Sequence, residues 1–239
     1  MQLNPDDVHV WTVSLEIPDR QLEQLRKIIS AEEISRAANF HFEHDRWRFI
    51  AARGFLRTIV ADYIGIAAKA VRFAYNEFGK PGLDSPGAIS DFKFNLSHSG
   101  ELALVAVAQV RDVGVDIERI DDSVDVEAVA EHFFSPGEIA SLTGLPASQR
   151  LAGFFNCWTR KEAYIKARGM GLSIPLDTFD VSLTPGAPSD LIRTEAPSGI
   201  SVWKIETLEV DQGFAGAVAA AGSGWKIVPI SRQAEVPLN

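Results

Sequence analysis

The 239-residue chain has one cysteine, Cys157, which excludes an internal disulfide framework and any zinc site built on several thiolates. Beside Trp158 this cysteine reads as a small packed hydrophobe, because the sequence supplies neither the nearby base nor the exposure that a catalytic thiol requires. No apolar run approaches the length of a membrane span. The opening segment MQLNPDDVHVW shows neither a basic n-region nor an apolar h-region, so no secretion signal is read there and the cytoplasm is the expected compartment. A global positive charge is also lacking. With a formal net charge of −9, the chain is not expected to be a general nucleic-acid binder. Neither a Walker loop nor a GxGxxG turn occurs, which removes both standard nucleotide loops.

A hydrophobic content of 46 % with 23 % charged residues describes a globular protein large enough for one sizeable domain or two ordinary small ones. Val8 to Leu15 alternates and is rich in β-branched residues, which predicts a strand. Pro18 and Asp19 open a short helix, and Ser30 to Glu33 has the capping-box form that starts a second. Asp45 to Ile64 carries Phe49, Ala52, Leu56, Ile59 and Tyr63 at helical spacing, which predicts a long helix. Strands are expected at Val71 to Tyr75, Phe94 to Leu96 and Leu102 to Ala108, with a loop over Gly79 to Gly87.

At Val113 the pattern starts again. An offset of 105 carries Val8 onto Val113 and the Ser30/Glu33 box onto Ser135/Glu138, and it lays one long helix over another, with Arg57 on Glu162. The second half then reads as a strand at Val113 to Glu118, a helix at Val126 to His132, a capped helix from Ser135 and a long helix from about Gln149 to Arg168. Strands at Phe179 to Leu183, Ile200 to Leu208, Phe214 to Ala221 and Trp225 to Pro229 complete it, before a loose tail. No βαβ rhythm appears, so the expected class is α+β, two similar halves of mostly antiparallel sheet with a long helix, divided as 1–110 and 111–239.

Chemistry-bearing residues cluster in a few places. Asp116 and Glu118 stand at i and i+2 of a strand and so share one face, either as a solvated surface or as two ligands of a hard cation such as Mg2+. On the long helix, Trp158, Glu162 and Lys166 lie four apart, a stripe that alone reads as an amphipathic surface with an ion pair. The run Asn95, Ser97, His98, Ser99 leads into an apolar strand, a costly way to begin one unless it meets a ligand. Arg36, Arg48, Lys80, His98 and Lys166 together suit a ligand with several phosphates.

The strand VGVDIE (113–118), followed by WTRKEAYIKARG (158–169), with EFGKP, FNLSHS and FFSPGE in order, resembles the 4'-phosphopantetheinyl transferases of the long surfactin-synthetase-activator (Sfp-type) group. The resemblance spans about Arg36 to Leu183. It implies a monomeric pseudo-dimer that binds coenzyme A and Mg2+, with Mn2+ as a possible substitute, between its halves. It further implies transfer of the phosphopantetheine arm to a serine of an apo carrier protein of secondary metabolism, with release of 3',5'-ADP. Metal ligands are then implied at Asp116, Glu118 and Glu162, and coenzyme A contacts at Arg36, Arg48, Lys80, Ser97, His98, Lys161 and Lys166. Catalytic roles fall to Asp116, Glu162 and Lys166, with Glu162, Glu138 or a metal-bound water as the base. A further basic contact of some members falls on Glu33, a departure that bears on the grip on the 3'-phosphate. A carrier-docking patch is expected near Phe133 and Phe134. A non-catalytic binding module and a magnesium-dependent hydrolase are the competing classes.

Overall fold

The computed structural model describes residues 1–84, 91–194 and 202–232. The end of the Gly79 to Gly87 loop, the start of the Ile200 to Leu208 strand and the tail after residue 232 lie outside the described residues.

The first half runs β1 (Asp7–Ser14), α1 (Asp19–Arg26), α2 (Ala31–Ala38), α3 (Glu43–Ile64), β2 (Phe73–Tyr75), β3 (Pro81–Leu83), β4 (Phe92–Ser99) and β5 (Leu102–Gln109). The second repeats that order as β6 (Val113–Arg119), α4 (Val126–Phe133), α5 (Pro136–Gly144), α6 (Ala147–Arg168), β7 (Asp180–Val181), β8 (Leu191–Arg193), β9 (Trp203–Thr207) and β10 (Phe214–Ala221). Pairing repeats as well: β1-β5-β4 in one sheet matches β6-β10-β9 in the other, all antiparallel, and a small hairpin follows the long helix in each half. The fold is therefore an α+β pseudo-dimer.

One strand breaks the expected division. The segment read as closing the second half, now β11 (Lys226–Arg232), pairs in parallel with β1 and becomes the edge of the first sheet. Its alternation announces a strand, but nothing local specifies the partner.

Alternation along the strands sorts the core into three parts. Ala103, Val105 and Val107 of β5 face α3 in the first half, while Leu104 and Ala106 join Val10, Val115, Ile117 and Val218 between the two sheets. Phe154, Tyr164, Ile165 and Phe179 centre the core under α6, where Cys157 is buried as expected.

The same lock holds each long helix. Ser30 and Ser135 cap α2 and α5, each in a complete capping box, and the box glutamate turns inward to take a cation from the long helix. In the first half Glu33 accepts from Arg53 Nε at 2.6 Å and Arg57 Nε at 2.7 Å. In the second, Glu138 meets Lys161 Nζ at 2.7 Å and accepts from Val181 N at 2.8 Å. Both long helices have 22 residues and end on left-handed glycines, Gly65 and Gly169, 104 residues apart. Within the helices the repeat is thus one residue shorter than the offset read from the capping boxes, and the counterpart of Arg57 is Lys161, not Glu162.

Removing one partner of a buried ion pair strands the other charge, which costs about 3–5 kcal/mol. Glu33→Ala and Glu138→Ala should each lose stability on that scale in urea unfolding, the first with no change at the carboxylates of the second half.

Candidate functional site

The site lies where the edge of β6 meets β4. These two strands are not joined by a backbone ladder. Side chains of the first half satisfy the edge instead: Asn95 Oδ1 accepts from Val115 N at 2.9 Å, Ser99 Oγ accepts from Arg119 N at 3.0 Å, and Lys80 Nζ donates to Val113 O at 3.0 Å. The polar run of β4 that looked costly is therefore explained by the junction. Ser97 and Ser99 also orient the carboxylates. Ser97 Oγ donates to Asp116 Oδ1 and Ser99 Oγ to Glu118 Oε2, each at 2.8 Å. The N-x-S-x-S alternation places Asn95 and Ser99 on one face with Ser97.

Helix α6 lies directly on β6 at Gly114, where a Cβ would collide with Ala163 O and Ala167 N. That close approach brings Lys166 Nζ to Asp116 Oδ1 at 2.5 Å and to Ser97 Oγ at 3.0 Å. Burial pushes the Asp116 carboxyl up, against the pull of Lys166 and Ser97. Glu118 is raised by burial and by the Asp116 charge. Glu162 is raised by burial and by both Asp116 and Glu118, with Lys166 opposing. The three carboxylates thus share one electrostatic neighbourhood.

Across the cleft, Arg36 lies over the Phe49 ring at 5.4 Å, and Arg48 reaches Glu16 at 3.8 Å. His98 is held below the usual imidazole range by desolvation and then by Lys166, Arg36 and Arg48, with Asp45 opposing, which places three cations in one field around a neutral imidazole.

Three sequence expectations change. Lys161 does not reach the cleft: it is fully buried, and its ammonium donates to Leu176 O and Phe179 O at 2.6 Å as well as pairing with Glu138. All three of its protons are used, so it is a core group and not a coenzyme A contact. Glu138 is no candidate base either, since it is 2 % exposed and its oxygens are taken by Lys161, Ser135 N and Val181 N. Glu33 is tied up by Arg53 and Arg57 of α3, so the residue that stands where some members have a basic contact serves the helix lock of the first half. Lys80 stands between Val113 O and Ala167 O, with burial holding its ammonium down to about 8.

Among the described residues no three His, Cys, Asp or Glu side chains stand grouped as a finished metal cage. The donor set nevertheless fits a hard cation: the candidate ligands are carboxylate oxygens, and Asp116 Oδ2 is buried with no hydrogen-bond partner.

A duplicated α+β fold with carboxylates on one side of the cleft and cations on the other defines a class that the comparisons specify. Residues 112–219 match the model of the 4'-phosphopantetheinyl transferase superfamily, and residues 16–110 match the model described as 4'-phosphopantetheinyl transferase, N-terminal. The chain is 41 % identical over 226 residues to the 4'-phosphopantetheinyl transferase HetI of Nostoc sp., covering 95 % of this chain and 92 % of that one. It is 31 % identical over 199 residues to the 4'-phosphopantetheinyl transferase Sfp of Bacillus subtilis, covering 83 % and 85 %. The chain belongs to the 4'-phosphopantetheinyl transferase superfamily.

Carboxylates raised in the native state make it hold protons that the unfolded chain has released, so this cluster costs stability as pH climbs through their raised range toward neutrality. Glu162→Gln should therefore raise the melting temperature by a few degrees at pH 7 in chelator, and the gain should vanish near pH 4, where the native carboxyl is already protonated; scanning calorimetry at both pH values checks it.

Proposed function

We infer that the protein transfers the 4'-phosphopantetheine arm of coenzyme A to a serine of an apo carrier protein and releases 3',5'-ADP. The observation that carries this reading is the Ser97-Asp116-Lys166 contact beside Glu118 and Glu162, in a cleft that two family models flank. Arg36 and Arg48 supply the positive field for the 3'-phosphate and diphosphate, His98 offers a ring N–H, and Ser97 offers a hydroxyl. Asp116, Glu118 and Glu162 would hold Mg2+, or Mn2+ in its place, which when bound offsets charge on the diphosphate oxygens.

The chain's own residues carry the remaining work. The carrier serine Oγ attacks the phosphorus that bears the pantetheine, its bond to 3',5'-ADP breaks, and the serine proton passes to Glu162. The raised carboxyl of Glu162 is a stronger base than an exposed glutamate, and Glu138 is spoken for. Lys166 neutralises the departing phosphate, having exchanged Asp116 for the ligand.

The carrier docks on the second half. Phe133 is 42 % exposed and meets Trp158 edge-on at 5.6 Å, beside a hollow of about 240 Å³ lined by Glu118, Val124, Val129, Phe154, Phe155 and Trp158. Phe134, at 3 % exposed, belongs to the core and is not part of that surface. The hollow reaches Glu118, so an apolar helix end seated there would bring its serine to the carboxylates. This reading also takes the chain to be a cytoplasmic monomer serving secondary metabolism. Its halves divide at about residue 110, with β11 lent back to the first sheet.

Incubation with coenzyme A, Mg2+ and an apo carrier protein, followed by intact mass, tests the reading. A phosphopantetheine increment supports it; cleavage of coenzyme A without that increment would favour a hydrolase, and binding without turnover a non-catalytic module. Asp116→Ala should keep its circular dichroism and lose activity by about a hundredfold or more. Phe133→Ser should raise the KM for carrier about fivefold to tenfold and leave that for coenzyme A unchanged, as loss of one interface anchor does.

A further inference from the structure

Lys80 immediately precedes β3 in the β2–β3 hairpin, and its ammonium meets two backbone carbonyls of the second half. Its Nζ donates to Val113 O, on the edge of β6, and to Ala167 O, in the last turn of α6, each at 3.0 Å. Asn76 of the same hairpin donates to Gly169 O at 2.6 Å, while its Oδ1 accepts from Lys80 N at 2.8 Å and so fixes the turn that presents the lysine. The two bonds on α6 fall on carbonyls at the helix C-terminus, which have no partner within the helix and which favour a cation. The bond to β6 falls on a carbonyl at an edge that no strand covers.

Ala167 follows Lys166 and is one turn beyond Ala163, the neighbour of Glu162; Val113 is three residues before Asp116. A group that holds Ala167 O and Val113 O at one point therefore fixes the helix that carries Glu162 and Lys166 against the strand that carries Asp116 and Glu118. Gly114 lets the two backbones touch between these points, and it offers contact without direction. The directional bond comes from the first half.

We propose that Lys80 is a positioning residue, a clasp from the first half that sets the register of α6 on β6, and that it acts on transfer through Lys166 and Glu162 and not by gripping a phosphate of coenzyme A. Two of the three ammonium protons are already committed to carbonyls, and the cleft around it, of about 480 Å³, holds Lys93 and Arg168 as further cations. The proposal rests on the transferase reading for its kinetic consequence and on geometry alone for its structural one.

Two measurements test it separately. Hydrogen exchange of Lys80→Met, without any ligand, should show the last turn of α6 and the start of β6 exchanging about tenfold faster, with Lys80→Arg close to the parent because a guanidinium also donates to two carbonyls. Unchanged exchange in Lys80→Met overturns the clasp whatever the protein catalyses. In kinetics, Lys80→Met should lower kcat about tenfold, and a double-mutant cycle with Lys166→Met should show the second loss mostly absorbed, since both act through one group. Losses that multiply, carried in the KM for coenzyme A, would instead assign Lys80 to the phosphate and overturn the proposal. If the parent transfers nothing, the transferase reading fails, and the exchange result still decides the clasp.

Discussion

The constraint on which the rest depends is the uncovered edge of β6. An edge strand buried against another domain must find partners for its backbone groups, and a neighbouring strand is the ordinary solution. Here the first half supplies side chains instead, with Asn95, Ser99 and Lys80 meeting Val115 N, Arg119 N and Val113 O. A side chain is longer than a ladder bond, so the two sheets stand apart enough to leave a cleft while remaining tied. The carboxylates of Asp116 and Glu118 lie along this seam, each already holding a serine hydroxyl from the opposite half. The candidate site and the domain junction are thus the same set of contacts.

Duplication gave both halves one frame and only the second the three candidate carboxylates. Each frame is held by an inward capping-box glutamate that captures a cation from its long helix, Arg57 in the first and Lys161 in the second. With those two residues equivalent, Glu162 stands one position beyond the lock, on a different side of α6, and its place in α3 is taken by Thr58, which bonds back to Gly54 O. The lock fixes the helix, and the residue after it is free to differ. This is why a lysine adjacent to the candidate metal ligand is wholly structural.

Much of this was legible from local pattern. The capping boxes, the i and i+2 carboxylates and the four-residue stripe of α6 depend on spacing alone, and the structure keeps each within a few residues. What escaped was non-local. Lys161 looks like any helical lysine until the turn at 176–179 supplies two carbonyls to it. The Pro81–Leu83 strand hides in a Pro/Gly-rich turn, and β11 reads as a strand whose parallel partner lies more than two hundred residues earlier. The serines of β4 have the right period, but only the position of β6 reveals that they also orient its carboxylates and satisfy its edge.

The cluster at the seam also breaks the rules that the rest of the chain obeys. The buried carboxylates Glu33 and Glu138 are fully paired with cations. At the seam, Asp116 raises Glu118 and both raise Glu162, Asp116 keeps one buried oxygen without a partner, and a single ammonium, Lys166, counters them. A fold optimised for stability alone would neutralise or remove such a group. On the transferase reading, the surplus of negative charge that costs stability is also what would hold a cation and let Lys166 pass to an anionic ligand, so the two have a common origin.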